Sequence, residues 1–190
     1  MEKRTCQDGV MFTCYNDVVV DIDAASGVEY VEIYFNIYMP ESKKSFPDVQ
    51  ELIINANVSD IEIPNTLFPN VTLVTSKSFH FYDNESYLIK NEKGFRKLLN
   101  VFCGPDMEFD LTNINRIADY AFAESNISKF KDVKKILFSC DSHAFTNSVF
   151  DKQPFMNGVK MAGDILIAVD ETVNTIELHD EENPLYMCVD

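Results

Sequence analysis

The sequence predicts a mainly β repeat solenoid, in which short strands stack into a parallel sheet behind an N-terminal β cap. Three observations carry this expectation: short motifs return with a period near 23, their apolar residues are spaced for one-faced strands, and no long amphipathic helix is present.

The period shows in three separate pairs. Phe46-Pro47-Asp48-Val49 returns as Phe68-Pro69-Asn70-Val71, 22 residues on, and Ala121-Phe122 returns as Ala144-Phe145, 23 on. Val58-x-x-Ile61-Glu62-Ile63 returns as Val173-x-x-Ile176-Glu177-Leu178, 115 on, or five periods of 23. Val49-x-x-Leu52-x-Ile54, Val58-x-x-Ile61-x-Ile63 and Val133-x-x-Ile136-x-Phe138 share one form. Their last two apolar residues lie two apart and face one side of a strand. Such a strand cannot bury its face alone, but copies stacked about 4.8 Å apart make a continuous core. Residues 46–180 hold about six such units, with strands expected near 49–54, 71–76, 133–138 and 173–178.

Residues 1–45 are the expected cap. From Val28 to Met39 the chain alternates, with Val31, Ile33, Phe35, Ile37 and Met39 on one face. It reads as a single strand, paired with Asp17–Ile22 through Ala24-Ala25-Ser26-Gly27. Residues 113–124 have room for one or two helical turns with Ile, Ala and Phe inward, and the Ala-Phe pairs plug successive layers. The acidic tail, residues 181–190, blunts the far end of the stack.

Charge is unevenly spread. The net charge is −15; residues 17–62 hold ten acids and two bases, residues 161–190 hold eight acids and no base, and the middle is balanced. Such a field repels nucleic acid and anionic membrane and attracts basic surfaces. There is no apolar run of about 20 residues that would span a bilayer. The first residues do not lead into a secretory signal. Five scattered cysteines, Cys6, Cys14, Cys103, Cys140 and Cys188, read as free thiols, with Cys6–Cys14 the leading alternative. Taken as complete, the chain is expected in the cytoplasm.

Ile114-x-x-Ile117-x-x-x-Ala121-Phe122-x-x-Ser125 and Val58-x-x-Ile61-Glu62-Ile63-Pro64 resemble the repeat of the BspA-like leucine-rich-repeat family, over residues 46 to about 180. The resemblance implies a right-handed leucine-rich-repeat superhelix and a role in adhesion or macromolecular recognition, with no catalytic site to carry over. Residues 80–112 depart from the pattern, and His179 stands where Pro64 stood.

No motif for catalysis, cofactor or metal emerges. Six scattered glycines make no phosphate loop. Cys140-x-x-His143 has a metal-like spacing but no second pair. Asp21/Asp23 and Glu181/Glu182 are carboxylate pairs of the kind that can hold a cation, though they lie in acid-rich segments. A Ser-His-Asp arrangement would be assembled in space and leaves no mark in sequence. The expected function is non-enzymatic protein binding through the concave sheet. Its outward residues are Glu51, Ile53, Asn55, Leu73, Thr75 and Lys77, and later Lys135, Leu137 and Ser139. The alternative is a small acidic intracellular inhibitor, a nucleic-acid decoy of the kind phages direct against host defence, such as an anti-CRISPR. It would act through Asp170, Glu171, Glu177, Asp180, Glu181 and Glu182. Either way the partner is a protein, with a basic surface in the second case, and not nucleic acid or membrane.

Overall fold

The computed structural model describes residues 2–104, 108–131, 139–172 and 186–187. The chain opens with a meander of three antiparallel strands, β1 (Glu2–Gln7), β2 (Val10–Tyr15) and β3 (Val18–Ala24). Alternation makes it one-faced: Val10, Phe12 and Cys14 are buried, while Met11 and Tyr15 stay out. Asp8-Gly9 and Asn16-Asp17 form the two-residue turns, all with φ between 48° and 80°. Asp, Asn and Gly tolerate that twist, which suits tight hairpins. β1 is an edge strand, and exposed Lys3 and Arg4 discourage further pairing there.

Coiling starts at β4 (Tyr30–Ile33), inside the stretch assigned to the cap from sequence. The expected single strand from Val28 to Met39 is broken at Tyr34-Phe35, and β5 (Asn36–Tyr38) runs along a second side of the coil. No hairpin joins it to residues 17–22. Instead β3 meets β5 in parallel, through Val18↔Asn36 and Val19↔Ile37. Asn36 stabilises the corner: its Oδ1 accepts the amides of Ser59 and Asp60, at 2.8 and 3.1 Å, from the coil above.

The second coil repeats this with β6 (Glu51–Ile54) and β7 (Ile61–Glu62), and the third begins with β8 (Leu73–Ser76). β4, β6 and β8 form a parallel sheet in register, Tyr30↔Glu51↔Leu73 and Val31↔Leu52↔Val74. β5 and β7 pair through Ile37↔Ile61. Leu52-x-Ile54 and Ile61-x-Ile63, alike in sequence, therefore lie on successive sides of one coil, not in one column. The third side is irregular, and there the rings of Phe46 and Phe68 pack tilted at 5.9 Å.

A hairpin, β9 (Leu88–Glu92) and β10 (Phe95–Asn100), enlarges the third coil. β10 then carries the stack onward through β12 (Arg116–Ile117) and β14 (Ser139–Cys140), with Leu98↔Ile117↔Cys140 all parallel. β11 (Glu108–Asp110) and β13 (Lys129–Lys131) open the fourth and fifth coils. Residues 113–124 form strand β12 and turns in place of the expected helical turns. The positive φ of Tyr120 and Glu124 (59° and 58°) is incompatible with a helix. Ile114, Ile117, Ala121 and Phe122 nonetheless point inward as expected.

Past the fifth coil the chain is elaborated by a further hairpin, as the third coil is. A short helix α1 (Val149–Lys152), capped by Ser148, leads to an antiparallel hairpin of β15 (Val159–Ala162) and β16 (Ile165–Val169), joined by β17 (Tyr186–Met187). β17 follows its parallel partner β16 by 21 residues, close to one period, so part of the acidic tail is a strand. The strands expected at 133–138 and 173–178 lie outside the described residues. Two buried clusters fill the stack, one from Val10 to Phe102 and one from Ile89 to Ile165.

Asn65, 2% exposed, links three coils. Its Oδ1 accepts the amides of Val101 and Phe102 at 2.8 and 3.0 Å. Its Nδ2 donates to the carbonyls of Tyr120, Ala121 and Ala123 at 2.8–3.2 Å. Buried amides of loops need such partners.

Candidate functional site

The outer face of β4–β6–β8 is built by parity. Val31, Ile33, Leu52, Ile54 and Val74 turn inward, so the residues between them turn out. The register sets Tyr30, Glu51 and Leu73 in one row and Glu32, Ile53 and Thr75 in the next. Asn55 and Lys77 extend the pattern, their amides bonding the carbonyls of Ile33 and Ile54 in the coil below. The six outward residues expected on these strands are therefore brought together.

Polar members of the face are tied to one another. Thr75 Oγ1 donates to Glu51 (3.1 Å), Asn55 Nδ2 donates to Glu32 (2.8 Å), and Lys77 lies 3.8 Å from Glu32. The Tyr34 hydroxyl, then the Asn55 amide, hold the Glu32 carboxyl below its ordinary value. Gln7 donates to the Tyr34 hydroxyl at 2.6 Å, joining the cap to the face. The apolar members remain open: Tyr30 is 42% and Leu73 36% exposed, and Ile53 is half-buried.

Phe79 was not singled out by sequence. It is 76% exposed, two residues past Lys77, with its ring 3.9 Å from that of His80. Parity was the available signal, because Leu73, Thr75, Lys77 and Phe79 alternate around buried Val74 and Ser78. Of the later outward residues, Ser139 is exposed at the start of β14, while Lys135 and Leu137 lie outside the described residues.

The acidic surface is described in part. Asp170 Oδ1 accepts from the amide and hydroxyl of Thr172 at 2.9 and 2.7 Å, which lowers the carboxyl's pKa and closes a local turn. Glu171 is exposed. Glu177, Asp180, Glu181 and Glu182 lie outside the described residues. The Asp21/Asp23 pair is occupied by an ammonium: Lys44 Nζ lies 2.7 Å from each carboxylate and 3.0 Å from the Ile22 carbonyl.

Cys140 is disulfide-bonded, which corrects the expectation of five free thiols; Cys6, Cys14 and Cys103 are free. Burial raises the thiols of Cys14 and Cys103, so neither is an activated nucleophile. Ser142, His143 and Asp119 do converge. Ser142 Oγ lies 3.1 Å and Asp119 Oδ1 3.5 Å from the same atom, His143 Nδ1. A proton relay needs them on opposite ring nitrogens. Among the described residues no group of three or more His, Cys, Asp or Glu could hold a metal ion, and no helix is long and apolar enough to cross a membrane. Comparison with known proteins gave no match to a family model, a curated protein or a solved structure.

Proposed function

We propose that the chain is a non-enzymatic protein-binding module that offers the outer face of β4–β6–β8 to a partner, in the manner of a leucine-rich-repeat protein of the BspA-like kind. One observation carries the reading: Tyr30, Ile53 and Leu73 share one outward face, where they alternate with mutually bonded polar side chains. Interface centres are apolar and aromatic with a polar rim, and a rim already bonded within the protein loses little order on binding. The face sits on paired strands rather than loops, so it is held in shape before contact. On this reading the module uses no cofactor.

The test is quantitative affinity capture from the native host with wild type, Leu73→Asp with Phe79→Ser, and Asp170→Asn with Glu171→Gln. The reading expects one set of proteins to vanish with the first pair and persist with the second. Identical capture by all three proteins overturns it.

A further inference from the structure

Where the β9–β10 hairpin enters the stack, β7, β10 and the turns at 118–124 and 141–147 surround a groove of about 800 Å³. Its floor is apolar, with buried Ile63, Leu88 and Ala118 and half-buried Leu99. Seven carboxylates and three lysines line it. Two of the lysines are engaged: Lys90 lies 2.7 Å from Asp60, and Lys97 lies 3.6 Å from Asp141 and 4.0 Å from Glu92. Glu62 has no cation against it among the described residues. Burial, and then the like charges of Asp60 and Asp119, push its carboxyl above the ordinary value. Tyr120, beside Asp119, is 49% exposed on the rim, and one face of its ring lies on His143 at 5.6 Å.

We propose that this groove receives an arginine-bearing segment of a partner protein, with a guanidinium between Glu62 and Asp119, against Tyr120, and neighbouring apolar side chains on the Leu99 floor. Charge complementarity selects the class of partner, because excess carboxylate above an apolar floor repels nucleic acid and favours a basic peptide. Arginine fits better than lysine, since its planar fork can serve two carboxylates and stack on an aromatic ring. A cation there also relieves the repulsion that Glu62 meets from its two neighbours. The groove shares no residue with β4, β6 or β8, so the inference stands apart from the sheet-face reading.

The probe is a fluorescein-labelled peptide of alternating Arg and Leu, titrated with the full chain by fluorescence anisotropy. Glu62→Gln with Asp119→Asn should weaken binding about ten-fold or more. Asp17→Asn with Asp164→Asn removes the same charge elsewhere, at exposed carboxylates outside the groove and outside both other surfaces, and should leave affinity nearly unchanged. Tyr120→Asn, which suits that residue's left-handed backbone, should weaken binding several-fold. The Lys version of the peptide should bind more weakly than the Arg version. Melting curves of the variants confirm that each is folded. Equal losses from both charge pairs, unchanged affinity in the groove pair, or no binding to wild type each overturn the proposal.

Discussion

The ring of Phe145 lies flat on that of Phe122, with 5.1 Å between centroids and 8° between planes. The residues are one period apart, and Phe130 packs edge-on against Phe122 at 5.4 Å. Both are essentially buried, beside the fully buried Ala121 and Ala144 that let the turns come close. Truncating either Phe to Ala should cost about 3–5 kcal/mol, through lost transfer energy and a residual cavity. Urea denaturation of both variants checks this. A loss below 1 kcal/mol would mean that the layer collapses around the gap without penalty.

Acid should weaken the sheet face. Glu32 has a folded pKa below its unfolded value, set by the Tyr34 hydroxyl and then the Asn55 amide. Its stabilisation is therefore present above the unfolded pKa of about 4.3 and disappears as pH falls through the folded value. Unfolding free energies of wild type and Glu32→Gln, measured from pH 7 down to 3, should differ most at the top of the range and converge at the bottom. A constant gap across the range would show that the carboxylate's charge plays no part.

Redox sensitivity should reside at the end of β14. Reductant should lower the melting temperature by several degrees, and Cys140→Ser should reproduce the shift, because a cross-link restricts the unfolded chain. Cys6→Ser, on an exposed free thiol, should change nothing. A reductant effect that survives in Cys140→Ser would place its origin elsewhere.

Salt separates the two functions that the sequence suggested. Binding through the sheet face should fall sharply with Leu73→Asp or Ile53→Asp and change little between 50 and 300 mM salt, roughly a two- to three-fold change in Debye length. A nucleic-acid decoy should behave in the opposite way, losing affinity steeply with salt and with neutralisation of Asp170, Glu171, Glu177, Asp180, Glu181 and Glu182. Native-host partner binding by the two mutant sets at both salt levels distinguishes them.

Much of the face was legible because parity and period are local. The columns Leu52–Val74 and Phe122–Phe145 follow from apolar spacing at 22–23 residues, whereas Val31, read as part of the cap, joins the first of them only in the structure. The corner at Tyr34-Phe35 was hidden for a physical reason: Val31, Ile33, Phe35, Ile37 and Met39 keep one parity straight through it, since both sides of the bend face one core. Asp8-Gly9, at the β1–β2 turn, carries a tight-hairpin signal in the sequence itself. The β9–β10 hairpin was not recoverable from the period, because residues 80–112 depart from the repeat pattern. The groove depends on that hairpin, so its carboxylates, drawn from positions 41 to 141, had no common sequence signal.

In most stacked-repeat proteins each layer speaks to the layers directly above and below, so such chains lengthen and shorten by whole units and can melt from one end. Asn65 breaks that rule, because its single amide group satisfies backbone 36–37 residues ahead on one side and 55–58 residues ahead on the other. A unit gained or lost between residues 66 and 100 would take Asn65 away from the buried Val101 amide and from the carbonyls of Ala121 and Ala123. Duplication at the midpoint of the stack would therefore cost this junction, where one side chain ties the two halves together.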